Sequence, residues 1–188
     1  MLVLAIFSFA NAQKGSVLVA GNIGFNSQKN SSLGNESKQN YFNFSPKVGY
    51  QFLENMTVGI ESNIQSYKTS ISGNTYDNKY NQLQLGAFLR YSKPLGGVFS
   101  AYADLSAGML ANKTSISDPL STSFKSSGLY FGITPAVFID LKKSFGLNFS
   151  IGGIDYSSIK DDTAAKNKTT GFAFSFGNSF NIGISKNF

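Results

Sequence analysis

One pattern constrains this chain more than any other: its apolar residues recur at every second position, in eight separate runs. A spacing of two is the period of a strand, whose successive side chains point to opposite faces. Residues 16–26 carry Val17, Val19, Gly21, Ile23 and Phe25 on one face and Ser16, Leu18, Ala20, Asn22 and Gly24 on the other. Residues 41–52 set Phe42, Phe44, Pro46, Val48, Tyr50 and Phe52 against Asn43, Ser45, Lys47, Gly49 and Gln51. The same reading predicts strands over 56–67, 80–92, 98–112, 127–141, 145–156 and 171–188. In each, a face of bulky apolar side chains lies opposite a face of Gly, Ser, Asn, Gln and a few charges.

The gaps alternate as well. Residues 27–40, 68–79, 113–126 and 157–170 are long and polar, whereas 53–55, 93–97 and 142–144 are short. In an up-and-down meander of eight strands, this places every long loop at one end and every tight turn at the other, with both termini at the tight-turn end. Barrels of the outer membrane have this asymmetry, with short periplasmic turns and longer extracellular loops. The facing follows from solvent. A shell of Phe and Ile in water would aggregate. In lipid the same shell is solvated, the closed ladder satisfies the backbone, and small polar residues fill the interior. A tilted strand crosses the hydrocarbon in about 9–11 residues, and all eight runs are long enough.

The expected fold is therefore all-β: a closed, eight-stranded, antiparallel, up-and-down transmembrane barrel with long extracellular loops and short periplasmic turns. Its bore is narrow enough for side chains to fill. Phe25, Phe42, Phe131 and Phe172 fall near the long-loop end of the outward face. Tyr50, Phe52, Tyr91, Phe99, Phe145 and Phe188 fall near the other, as two interfacial girdles would require. Pro46 and Pro135 lie within strands that have no edge to place them on, so both are expected at bulges.

The chain has no His and no Cys. That removes Ser–His–Asp and Cys–His catalysis, His-based zinc sites and disulfides. No catalytic residue, cofactor or metal site is expected. The inward face carries Lys47, Glu61, Arg90 and Asp104 at mid-strand. A turn at 53–55 sets Lys47 directly across from Glu61, while Arg90 and Asp104 flank the next turn at heights that do not clearly match. Charge in a barrel lumen must be paired, and two cations with two anions form a neutral structural plug. Asp140, near the short-turn rim, is expected to be solvated. The net charge of +6 comes mainly from lysines at or beside the long gaps, a solvated rim able to meet anionic lipopolysaccharide. No basic run with interleaved aromatics points to nucleic acid.

Residues 1–12, MLVLAIFSFANA, read as an export signal. An apolar run too short to span a bilayer ends in Ala10-Asn11-Ala12, a small-residue cleavage pattern. The barrel domain is then 13–188.

The segments Ser45-Pro46-Lys47-Val48-Gly49-Tyr50-Gln51-Phe52 and Thr57-Val58-Gly59-Ile60, with the terminus Ile182-Gly183-Ile184-Ser185-Lys186-Asn187-Phe188, resemble small OmpX/OmpA-like barrels of the outer membrane protein beta-barrel domain family. The Asn- and Lys-rich composition is similar to that of Bacteroidetes proteins. The resemblance implies that Phe180, Ile182, Ile184 and Phe188 form the C-terminal signal read by the barrel-assembly machinery, with Lys186 departing from its apolar pattern. It implies a bacterial outer-membrane protein, a monomer in contact with outer-membrane lipid. Its expected role is structural, envelope-stabilising or adhesin-like; the alternative is a narrow porin-like channel for small solutes or ions.

Overall fold

A computed structural model describes residues 14–32, 35–72, 77–117, 121–163 and 166–188. The export-signal segment 1–12 lies outside them. The strands are β1 (Val17–Ser32), β2 (Asn35–Leu53), β3 (Met56–Ile71), β4 (Asp77–Gly96), β5 (Phe99–Ser117), β6 (Thr122–Lys142), β7 (Phe145–Asp161) and β8 (Lys168–Asn187). Each pairs antiparallel with its sequence neighbours, and β8 returns to β1 to close a barrel.

The facing is as the alternation predicts. Ile23, Ile60, Met109 and Phe172 are about 70% exposed on the outer wall, at 71%, 69%, 70% and 72%. Leu18, Phe88, Arg90, Asp104 and Leu110 are buried inside. No small polar core could stabilise this shell in water; lipid supplies its solvent. Most girdle aromatics are exposed on the outer wall. Phe52 is less so, because the register shifts between Gln51 and Leu53 at its position.

The gaps correct one expectation. The strands continue through most of them as paired ribbon: β1 reaches Ser32 and β2 begins at Asn35, so 27–40 is largely hairpin. The other long gaps behave alike. Above the hydrocarbon both faces of a strand meet water, so the apolar alternation fades while the backbone ladder persists. At the opposite end the connections are two-residue turns. Lys143 and Ser144 both have positive φ, 51° and 60°, the conformation that matches hairpin twist.

The two prolines differ. Pro135 sits where the β6–β7 register shifts between Ile133 and Ala136, a bulge as expected. Pro46 does not: β2 and β3 keep one register from Phe44↔Ile64 to Lys47↔Glu61, and only the rungs at Ser45 and Pro46 are missing. The missing proline N–H deletes hydrogen bonding without inserting a residue.

The join between β8 and β1 is short. Its rungs run from Leu18↔Asn187 to Gly21↔Ile184, extended by reciprocal Val17–Phe188 backbone bonds of 3.0 Å. Above Gly21 and Ile184 the two strands share no further rungs among the described residues. On its other side β8 carries a large bulge, with Ser150↔Asn181 followed by Gly152↔Phe176. Gly152 and Gly177 take φ of 118° and 76° there, a conformation that costs glycine least. The bulge bends β8 at the height where its pairing with β1 ends.

Candidate functional site in the barrel lumen

β2, β3, β4 and β5 each deliver one charged side chain to the lumen at mid-height. Lys47 lies directly opposite Glu61, as the turn at 53–55 predicts. Arg90 lies directly opposite Asp104. The sequence left that second pair unmatched because the ladder shifts between Pro94 and Gly96, and a turn counted without that bulge misplaces every rung above it.

The four groups touch. Lys47 Nζ contacts Glu61 Oε2 at 2.7 Å and Asp104 Oδ2 at 2.9 Å. Arg90 donates from Nε to Asp104 Oδ1 at 2.7 Å and from Nη2 to Oδ2 at 2.9 Å. That fork is the strongest geometry available to a guanidinium and a carboxylate. Asp104 thus bridges both cations, and the formal charges sum to zero. Arg90 also stacks on Tyr102, 3.7 Å from its ring centroid, and Lys47 lies 5.2 Å from that of Phe88.

Three large inward side chains complete the layer. Phe88 is 2% exposed and lies over the opposed pair Gly49↔Gly59. A Cβ on Gly59 would stand 2.7 Å from its ring. Tyr130 crosses from β6 over the opposed pair Gly86↔Gly108 and donates its hydroxyl to Glu61 Oε1 at 2.9 Å. A Cβ on Gly108 would stand 2.8 Å from the Tyr130 ring. Tyr102 is the third. The alternation of β4 and β5 puts Phe88 and Tyr102 on the same inward faces as Arg90 and Asp104. The available signal was bulk on a face otherwise small and polar, facing glycines on neighbouring strands.

This packing predicts that Gly86→Val lowers stability by about 1–3 kcal/mol, because it overpacks the lumen against Tyr130 and the Ala107 carbonyl. Gly24→Ala, whose Cβ would meet Asn43 Cβ at an ordinary 4.0 Å, should stay within about 0.5 kcal/mol of wild type. Urea midpoints in vesicles measure both. Equal effects would show that the tyrosine is not clamped.

Cavities flank the layer, one of about 100 Å³ beside it against β1, β7 and β8. Toward the hairpins lies a cavity of about 470 Å³, bounded below by Lys47 and Glu61. Toward the turns lies one of about 60 Å³, beneath Arg90 and Tyr102. Near that rim Asp140 is partly exposed, although its Oδ1 has no hydrogen-bond partner among the described residues. The four C-terminal residues Phe180, Ile182, Ile184 and Phe188 all face outward, 55–71% exposed. Lys186 lies among them, with Nζ 5.0 Å from the Phe188 ring centroid.

A lipid-facing apolar wall, a closed ladder and a polar, charge-paired interior define a small membrane-spanning β-barrel. The chain belongs to the outer membrane protein beta-barrel domain family, whose model matches residues 1–183. Its place is the bacterial outer membrane. Solved structures share the fold, among them the following two. Ail, the attachment invasion locus protein of Yersinia pestis, solved in complex with the heparin analogue sucrose octasulfate, is 15% identical with a TM-score of 0.51. It covers 94% of this chain and 100% of its own. A major outer membrane protein of Thermus thermophilus is 10% identical with a TM-score of 0.51, over 92% of this chain and 99% of its own. No curated protein matches. Neither structure bears on the Bacteroidetes resemblance of the composition.

Proposed function

We propose that this protein is a non-enzymatic, non-conducting barrel that stabilises the envelope and presents its polar hairpins for surface contact. The single observation that carries the reading is the Lys47–Glu61–Arg90–Asp104 layer, which joins four strands across the lumen with its charges paired. A neutral, hydrogen-bonded layer favours a closed bore over an ion path, where unpaired charge of one sign would line the way. The absence of His removes the usual base of hydrolases that use a serine nucleophile. The likeness to Ail, named for attachment, agrees with a surface-contact role.

Residues 1–12 serve in this reading as the export segment, removed before Gln13. The outward row Phe180, Ile182, Ile184 and Phe188 serves as the assembly signal, and the barrel works as a monomer. Planar-bilayer recording from purified protein tests the central point. Silent membranes are expected. Stable, reproducible unit currents would overturn the plug and support the narrow channel for small solutes or ions.

A further inference from the structure

The outer wall repeats one sequence of side chains on all eight strands as it leaves the apolar band. Ascending β1, the outward residues are Phe25, Ser27 and Lys29; on β2 they are Phe42, Asn40 and Lys38. On β3 and β4 they are Ile64, Ser66, Lys68 and Leu83, Asn81, Lys79. On β5 and β6 they are Met109, Ala111, Lys113 and Leu129, Ser127, Lys125. On β7 and β8 they are Tyr156, Ser158, Lys160 and Phe172, Thr170, Lys168. Every strand places a lysine four residues beyond its last bulky apolar side chain, on the same outward face. All eight are exposed, and they are half of the chain's 16 Lys+Arg.

The register joins these lysines into a belt that runs from Lys29 on β1 round to Lys168 on β8. Each hairpin sets two face to face: Lys29↔Lys38, Lys68↔Lys79, Lys113↔Lys125 and Lys160↔Lys168. Between hairpins they are diagonal neighbours, Lys38 opposite Ser70, Lys113 opposite Asn81 and Lys160 opposite Ser127. Like charges directly opposite destabilise a ladder, and their spacing of about 5 Å is inside the Debye length of about 8 Å. Among the described residues two are offset locally, Lys29 by Glu36 and Lys68 by Asp77, both at 2.8 Å. The other six form no ion pair among the described residues. At the turn end no such pairing occurs: Lys93 faces Ala101 and Lys142 faces Phe145.

We propose that this belt binds the phosphate groups of outer-leaflet lipids around the whole circumference of the barrel. Height and direction select the partner. Four residues of strand tilted at about 45° rise roughly 10 Å, and lysine stems bend back toward the interface. The ammonium groups therefore reach the headgroup layer beside the barrel. A soluble polymer would be met by lysines on one side or over the mouth. These encircle the wall and point away from the axis. The inference rests on which face meets lipid and is independent of the plug, so conductance results leave it untouched.

Lipid spin labels test it. In phosphatidylcholine vesicles, motionally restricted label at the barrel should favour spin-labelled phosphatidic acid over spin-labelled phosphatidylcholine by about fivefold, the factor one favourable lysine supplies at an anionic surface. The ratio should fall near one when Lys38, Lys79, Lys113, Lys125, Lys160 and Lys168 are all changed to Gln. It should hold when Lys93, Lys142 and Lys143 are changed instead. Wild type in 1 M NaCl, where the Debye length is about 3 Å, should also fall near one; that measurement decides the matter should the sixfold variant not fold. No preference in wild type, or a preference that survives high salt or the sixfold change, overturns the proposal. So does heparin binding that is lost in the sixfold variant while the two lipid labels partition equally, which would assign the belt to a soluble polyanion.

Discussion

Asp104→Ala should cost about 3–5 kcal/mol, the usual penalty for removing one partner of a buried ion pair. Asp104 is 3% exposed and accepts from both Arg90 and Lys47. Without it, Glu61 is left against two cations, and among the described residues Arg90 keeps its stack on Tyr102, a more distant approach to Phe88 and the charge of Glu61. Asp104→Asn should lose less, because an amide oxygen still accepts one bond. The measurement is urea unfolding in vesicles, followed by the mobility difference between folded and heated barrel on gels. A loss below about 1 kcal/mol for the alanine variant, the range of a solvated surface pair, would mean that water in the adjoining cavity of about 100 Å³ solvates both cations. The layer would then not hold the lumen shut.

Ile60→Arg should cost about 2–4 kcal/mol, the penalty for a cation on the lipid face near the midplane. Ile60 lies between Val48 and Ala87 on the outer wall, with nothing but lipid to solvate it. The variant should fold poorly into vesicles, whereas Ser106→Ala, inside the lumen, should fold nearly as wild type. An arginine variant that inserts as readily as wild type would invert the facing of every strand.

What the sequence showed well was whatever lipid enforces. Hydrocarbon rewards alternation strictly, so the strand count, the outward face and the Lys47–Glu61 rung were all readable. Other features were not. Hairpin length was hidden because water on both faces erases the alternation. The Arg90–Asp104 rung was hidden by the extra residue at Leu95, and the β8 bulge by its parity: Phe176 and Phe180 both face outward, so the apolar rhythm continues across it. Nesting of Phe88 and Tyr130 over glycine pairs needs the register of three strands at once. The lysine belt lay in plain view as residues, but only cross-strand register joins eight scattered lysines from β1 round to β8.

The incomplete union of the first and last strands has a mechanical consequence. A cylinder yields at its weakest longitudinal weld, and here that weld stops partway up the apolar band. The amides of Ile23 and Phe25, which point to the β8 side as Val17 does, should trade hydrogen for deuterium sooner than those of Ile60 or Leu105, which sit in strands with rungs on both sides, because local opening follows the least-bonded backbone. Heat should part the wall first along this line, and the rest of the sheet should peel away from it.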